Sequence, residues 1–231
     1  VKFYNIILIE VYLTMNVTQA VLNRSSKRSF INKPVSTKLI KALLEVAARS
    51  PSGGNLQPWR IYVLNKEAME GFKTHQANWS EPEVPEYDIY PPSLKEPYRT
   101  QRYNVGEQMY SKLGIERDNK EDRFSQVLKN FDFFGAPAAL FCFIDRDMGP
   151  PQWSDLGMFL QTFMLLALEA GLDTCAQEAW SLKHESVSDF CNVNDNLMLF
   201  CGMAIGFNDS EDPVNTLKTD RLPLDEWATF L

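Results

Sequence analysis

The sequence predicts an α+β protein in which helices pack against one sheet. Helix and strand patterns mix along the 231 residues without the regular strand–helix alternation of a parallel α/β protein. An apolar content of 45% is enough for a sizeable core. The chain shows no internal repeat, and its length suits one domain, which we assign to residues 15–231.

The first half of the domain predicts a short helix, an amphipathic helix, a strand and a third helix. NVTQAVLN predicts a helix that runs to about Leu22. In STKLIKALLEVAARS apolar residues recur at helical spacing, and Ser36 can cap the helix after Pro34. RIYVL, residues 60–64, predicts a strand, and KEAMEGFKTHQANW predicts the third helix.

Residues 80–105 differ in composition from the rest of the chain. The stretch contains five prolines and four tyrosines. Long loops in compact domains are often functional, so we predict a lid within an insertion that spans residues 80–131. A plain surface excursion is the alternative. A polar helix, broken near Gly114, is predicted from residue 106 to residue 131.

The second half alternates buried strands with helices. PAALFCFID predicts a strand, and SDLGMFLQTFMLLALEAG predicts a helix that Ser154 or Asp155 caps and Gly171 ends. Because this helix is apolar almost all round, we expect it in a deep core or at a subunit interface. DTCAQEA predicts a strand or turn, SLKHESVSDFCNV a helix and NLMLFCGMAIGF a strand. The tail from Asn208 is polar and irregular, then amphipathic at LPLDEWATFL.

Composition limits the partners of the protein. The net charge of -7 argues against a broad nucleic-acid face, so any anion site must be local. The four cysteines form no CxxC pair, which predicts reduced thiols and a cytoplasmic location. With only two histidines a zinc site is not expected.

The first 14 residues, VKFYNIILIEVYLT, do not fit the domain. Glu10 interrupts their apolar run, which is too short to span a bilayer, and they lack a small-residue cleavage site. Met15 looks like a natural start, so we expect residues 1–14 to be an upstream or disordered segment. An extra docked strand or helix is the alternative.

Several common catalytic motifs are missing. No GxGxxG follows a strand, and the chain contains no GxxxxGK[ST], HExxH or GxSxG. His184 has no nucleophile nearby in sequence. A Rossmann dinucleotide site and a serine or cysteine hydrolase are therefore unsupported.

Two motifs point to an anionic, planar ligand. In RSSKRSF, Arg24 and Arg28 can reach one point, and guanidiniums with serine hydroxyls suit a phosphate. In PSGGN, Gly53 and Gly54 let backbone N–H groups converge and leave room for a flat ring beside Asn55. A solvated basic patch and a plain helix-to-strand turn are the alternatives.

Four segments together resemble the nitroreductase family of flavin mononucleotide (FMN) enzymes. They are RSSKRSF, SPSGGNLQPWRIYVL, GMFLQTFMLLALEAGLDTCAQEAW and NTLKTDRLPLDE, and they occur in the family's order from Val17 to Leu231. The stretch YPPSLKEPYRTQRYNVGEQMYSKLGI looks like the branch that includes nitrobenzoate reductases. The resemblance implies a mostly antiparallel sheet flanked by helices, in an intertwined homodimer with a flavin at each interface.

The resemblance also implies site residues, none of them a catalytic acid or base. Glu178 and Ala179 align with the segment whose backbone N–H faces flavin N5, and Arg221 closes on the phosphate. The implied FMN-binding residues are Arg24, Ser25, Ser26, Arg28, Pro51, Ser52, Gly53, Asn55, Gln101, Gln177, Glu178, Ala179 and Arg221. The implied substrate-facing residues are Gly54, Tyr98 and Tyr103, with Tyr87 and Tyr90 as further lid aromatics.

The chemistry that the resemblance implies is a two-step, ping-pong transfer at one site. NADH or NADPH passes a hydride to flavin N5 and leaves, and a nitroaromatic or quinone then takes the same place. This reaction explains the absence of a Rossmann motif. A reductive dehalogenase of the same family and a flavin-storage protein without turnover are the alternatives.

Overall fold

In the computed structural model of the chain, which describes residues 15–231, five strands form one antiparallel sheet. The expectation for residues 1–14 lies outside the described residues. The strands are β1 (Phe30–Ile31), β2 (Arg60–Asn65), β3 (Ala138–Asp145), β4 (Asp173–Gln177) and β5 (Leu197–Asn208). The α-helices of the described part are α1 (Val17–Asn23), α2 (Thr37–Ala47), α3 (Glu67–Asn78), α4 (Tyr98–Lys112), α5 (Lys120–Leu128), α6 (Pro150–Glu169) and α7 (His184–Cys191).

The long strand β5 organises the sheet. It pairs with β3 along one edge and with β4 along the other, β2 continues the sheet beyond β3, and β1 pairs with the end of β5. The predicted fold class and the mostly antiparallel sheet are confirmed. Strands β2 and β3 are far apart in sequence. They pair antiparallel, with Arg60 opposite Phe143 at one end and Asn65 opposite Ala138 at the other.

Helices cover both faces of the sheet. Alternate residues of β3 point to opposite sides: Leu140 and Cys142 belong to one core cluster, Phe141 and Phe143 to the other. The first cluster is completed by α2 and α6, and the second by α3, α7 and the segment around Trp180. Both faces of β3 are therefore buried, as its continuous apolar run predicts.

One close approach depends on a glycine. Gly202 of β5 lies beneath the fully buried Trp180, and a Cβ at this position would lie 2.3 Å from Trp180 Cδ1. Only glycine fits there without a shift of the indole. The contact fixes the short 3-10 helix Glu178–Lys183, which follows β4, directly over the sheet.

The predicted N-terminal cap of α2 and the predicted C-terminus of α6 agree with the structure, but the predicted start of α6 does not. Ser36 Oγ accepts the Leu39 N–H at 3.4 Å. Gly171, at φ +77°, ends α6 with paired bonds from its own N–H and the next N–H back to the last turn. The helix begins at Pro150 rather than at Ser154, because a proline in the first turn lacks only an N–H that has no partner there.

The predicted loop over residues 80–105 is wrong in its last part. The chain is irregular only to Pro97, and α4 begins at Tyr98. The carboxylate of Glu96 accepts the Thr100 N–H at 3.1 Å and pairs with Arg99 at 2.7 Å, which caps the first turn. Pro97 is the last proline of residues 80–105, so no later residue of this stretch prevents a helix.

Candidate functional site

The arginine-rich segment leaves α1 as extended chain and lies along β4. Ser26 forms a parallel bridge with Thr174, and the Lys27 N–H donates to Thr174 O at 3.1 Å. Arg24 has extended backbone at the end of α1. The extended backbone spreads the side chains of residues 24–28 over one wall of a cavity.

That cavity has a volume of about 740 Å³, within the usual range for ligand sites. Its lining comes from residues 21–28, from residues 215–219 with Arg221, and from Gln161 of α6. The predicted residues Arg24, Ser25, Ser26, Arg28 and Arg221 all line this cavity. The structure thus brings the two distant arginine motifs together.

The lining of this cavity is strongly cationic. It contains Arg24, Lys27, Arg28, Lys218 and Arg221 and no carboxylate. Burial first, and then the charge of Arg221, hold the pKa of the Arg24 guanidinium below its ordinary value. Within residues 15–231 none of these five cations forms a salt bridge. Uncompensated guanidiniums and adjacent hydroxyls are the donor set that a phosphate needs, so the residues fit FMN.

The glycine loop lies elsewhere on the chain. Its 3-10 turn Gly53–Asn55 has positive φ of +57° at both Gly54 and Asn55, and the Gly53 N–H donates to the buried Asp155 at 3.2 Å. Asp155, predicted as a possible cap of α6, therefore fixes this loop instead. None of Pro51, Ser52, Gly53, Gly54 and Asn55 lines the arginine cavity, so one chain does not assemble these predicted residues in one place.

The segment after β4 also lies outside the arginine cavity. Gln177 is 2% exposed, its Nε2 donates to Asn130 O at 2.7 Å, and its Oε1 has no partner in the described part of the chain. Glu178 is exposed on the surface of the chain, yet partial desolvation by the surrounding protein raises its pKa. Ala179 is half-buried beside it. Their predicted contacts with a flavin stay predictions.

A second cavity of about 780 Å³ adjoins the first at Thr219 and Arg221. Its other wall is α4, which contributes the predicted residues Tyr98 and Gln101. Gln101 Nε2 is buried without a hydrogen-bond partner among residues 15–231. An unsatisfied buried amide beside Arg221 marks a place where a polar ligand atom could bind.

Tyr103, a predicted substrate residue, does not share this second cavity. It lines a separate cavity of about 940 Å³, formed by residues 91–96 and the opposite side of α4. Arg117 stacks over its ring at 5.4 Å. Because α4 is a helix rather than a loop, Tyr98 and Tyr103 point to different sides of it, and only Tyr98 reaches the cavity beside Arg221.

The irregular part of the predicted lid is anchored by contacts that the sequence analysis did not identify. Glu86, whose side chain is 5% exposed, pairs with Arg146 at 2.5 Å and with His184 Nδ1 at 3.0 Å. The Tyr87 hydroxyl donates to Phe200 O in β5. Glu83 accepts the N–H groups of Glu185 and Ser186 in the first turn of α7. Their partners are distant in sequence, so no local signal marks these residues as anchors.

Membrane-spanning helices and metal-binding clusters are two further features that bear on the kind of site. Among residues 15–231 no helix is both long and apolar enough to cross a bilayer. The same part of the chain holds no group of three or more His, Cys, Asp or Glu side chains placed to bind a metal ion.

Comparison with known proteins adds independent findings. Residues 21–207 match the sequence profile described as "Nitroreductase family". The chain is 36% identical over 219 residues to a nitrobenzene nitroreductase of Ectopseudomonas oleovorans, covering 93% of this chain and 96% of that one. It is 33% identical over 210 residues to a 4-nitrobenzoate reductase of Pseudomonas putida, covering 90% and 92%.

The fold of the chain is also similar to that of a solved structure. The crystal structure of the FMN and NADPH-dependent nitroreductase NfnB from Sphigopyxis sp. strain HMH superposes with a TM-score of 0.87. The sequence identity is 41%, and the superposition covers 94% of this chain and 99% of that one.

Proposed function

The chain belongs to the nitroreductase family, as its sequence motifs predict, and we propose that it is an FMN-dependent oxidoreductase that uses NADH or NADPH to reduce nitroaromatic or quinone-like acceptors. The relatives named as nitroreductases, and the similar structure described as FMN- and NADPH-dependent, support the enzyme class and the cofactors. The residues of this chain support the same conclusion independently.

The observation that carries the proposal is the arginine cavity. Five cations line this cavity without a carboxylate, and they repel one another unless an anion binds between them. Arg24, Arg28 and Arg221 offer fork-shaped donors that match the oxygens of a phosphate monoester. We assign this cavity to the phosphate end of FMN.

FMN held by these residues would supply hydride-transfer chemistry between NAD(P)H and an acceptor that binds in the same place, and we expect ping-pong kinetics. The residues of the chain bind and orient the reactants. The arginines hold the phosphate, and Gln101 and Tyr98 extend the site along α4. Tyr98 offers an aromatic face for a flat acceptor. We assign no side chain as acid or base.

We further propose that the complete site forms in a homodimer. The glycine loop at residues 51–55 and the segment at residues 177–179 lie outside the arginine cavity, so a second copy is needed to supply a ring-binding surface. The helix α1 packs against α6, and the two leave Val17, Val21, Leu22 and Met158 exposed. An apolar surface of this kind is typical of a subunit interface.

The acceptor and the location of the protein are also part of the proposal. The named relatives act on nitrobenzene and 4-nitrobenzoate, and we extend this acceptor class to the present chain. A cytoplasmic location remains the expectation set by its reduced cysteines.

A steady-state assay tests the proposed function. The protein, stripped and reconstituted with FMN, should oxidise NADH or NADPH much faster when nitrobenzene or a quinone is present. Stripped protein without added FMN is the control and should be inactive. Turnover of iodotyrosine in preference to nitrobenzene would identify a dehalogenase, and no acceptor-dependent turnover would identify a storage protein.

A further inference from the structure

One buried amide joins the two segments that form the arginine cavity. Asn215 is 7% exposed. Its Oδ1 accepts the Arg28 N–H at 2.8 Å, and its Nδ2 donates to Ser29 O and to Asp209 O, both at 2.8 Å. The Asn215 carbonyl also accepts a hydrogen bond from Lys27 Nζ at 2.9 Å. Both protons of the amide nitrogen are therefore used.

The chain after Asn215 is irregular, and most of its hydrogen bonds are local. Residues 217–223 form neither helix nor strand. Among residues 15–231, the Arg221 guanidinium donates to Thr219 and Asp220, which belong to the same segment. An exposed bond from Gln108 to Asp220, at 3.2 Å, is the side-chain link from α4 to this stretch. The buried link to the arginine segment is made by Asn215.

We propose that Asn215 is a positioning residue for the phosphate end of FMN, an inference that rests on the proposed function. Its amide holds residues 27–29 against the start of the tail, and so sets the separation of Arg24 and Arg28 from Arg221. Asparagine suits this place because one acceptor and two donors face one backbone N–H and two backbone carbonyls. Aspartate would place a carboxylate against those carbonyls.

The proposal makes a specific distinction between two flavins. Asn215 acts through the cations, so its loss should weaken the contacts to a phosphate and leave contacts to the isoalloxazine ring unchanged. Riboflavin is the natural probe, because it has the ring and the ribityl chain without the phosphate. A residue that only stabilised the fold would change the affinity for both flavins alike.

The experiment is a fluorescence titration of stripped apoprotein with FMN and with riboflavin. The ratio of the riboflavin dissociation constant to the FMN dissociation constant (the riboflavin-to-FMN ratio) measures the phosphate contribution. We expect Asn215→Ala to reduce this ratio about tenfold or more, since charged hydrogen bonds that depend on alignment account for a factor of that size. Asn215→Ser, which replaces the amide with a hydroxyl that can bond to one of the three partners, should give an intermediate ratio and carries the test if the alanine variant does not fold.

The matched control is Asn65→Ala. Asn65 Nδ2 also bridges two segments, through Val35 O at 2.9 Å and Thr37 Oγ1 at 3.1 Å, but it does not line the arginine cavity. Asn65→Ala should lower the melting temperature and leave the riboflavin-to-FMN ratio of dissociation constants at the wild-type value. An Asn215 variant with a wild-type ratio would overturn the inference alone. A wild-type protein that binds the two flavins equally, or neither, would overturn the proposed function instead.

Discussion

Arg24 and Arg221 line one cavity whose lining contains no carboxylate. Burial and the charge of Arg221 both lower the pKa of the Arg24 guanidinium, so the two cations repel one another in a partly desolvated place. The chain retains this repulsion although it has an excess of acidic residues that could neutralise it. A phosphate bound between the two guanidiniums would relieve this repulsion.

The first prediction concerns Arg221. A charge-assisted arginine–phosphate contact contributes about 1.5–3 kcal/mol, so Arg221→Ala should weaken FMN binding about ten- to a hundredfold. Arg221→Lys should recover part of the loss, because a point charge cannot reproduce the planar fork. Titration of stripped apoprotein with FMN measures both effects, and equal affinities for all three proteins would show that Arg221 does not contact the phosphate.

The control for this prediction is Arg117→Ala. Arg117 is exposed between α4 and α5 and lines none of the cavities that contain Arg221. The variant removes the same charge from the protein, so it separates a local contact from a change in net charge.

The melting temperature of Arg221→Ala should approach that of the wild type in saturating FMN and fall below it when FMN is limiting.

The second prediction distinguishes the two tyrosines of α4. Tyr98 lines the cavity beside Arg221 and Tyr103 faces the opposite side of the helix. If a flat acceptor stacks on Tyr98, Tyr98→Ala should raise the KM for a nitroaromatic about two- to tenfold, which corresponds to about 0.5–1.5 kcal/mol. Tyr103→Ala is the matched variant and should leave KM close to wild type. The reverse order of effects would place the acceptor on the other side of α4.

The third prediction concerns the anchor of the lid. Glu86 pairs with Arg146 and His184, and Glu86→Gln leaves these two groups without their carboxylate. Hydrogen bonds to charged groups contribute roughly 1.5–3 kcal/mol, so the melting temperature should fall by roughly 3–12 °C in a protein of this size. FMN affinity should change little, because the anchor lies outside the arginine cavity. Unchanged thermal stability would contradict a structural role for this cluster.

The fourth prediction concerns the cysteines and pH. Burial raises the pKa of both Cys191 and Cys201 to about 12, and it also raises the pKa of Cys142 and Cys175. The thiolate is the reactive form, so the native protein should resist a thiol reagent at pH 8 and the unfolded protein should react at all four thiols. Because the unfolded thiols ionise first, the free energy of unfolding should fall as pH rises above about 8.5. Rapid native labelling of Cys142, Cys175 or Cys201 would contradict their burial.

Local patterns were sufficient to predict most of the fold. The apolar runs of β3 and β5 and the Ser36 cap of α2 depend on residues close together in sequence, and the structure places them as expected. The sequence does not predict the start of α4 at Tyr98, because the prolines before it favour a loop. The capping role of Glu96 is evident only in the structure. The starting point of α6 was missed because Asp155 was read as a cap, whereas it accepts the N–H of Gly53, which is distant in sequence.

The candidate site shows the same difference between features set by neighbouring residues and features set by residues far apart in sequence. Arg24, Arg28 and Arg221 were found from motifs, because each motif is a short run of recognisable residue types. Their convergence depends on Asn215, and the lid depends on Glu86, whose partners are remote in sequence. Such long-range hydrogen bonds leave no period or spacing in a single sequence. They become visible only when the chain is folded.

The most direct test of the central claim is an anaerobic absorption experiment on the purified protein reconstituted with FMN. We predict one FMN for each chain of a homodimer, loss of the oxidised-flavin absorption when NADH or NADPH is added under nitrogen, and its return when nitrobenzene follows. A colourless protein after reconstitution, or a bound flavin that neither nicotinamide bleaches, would contradict the account.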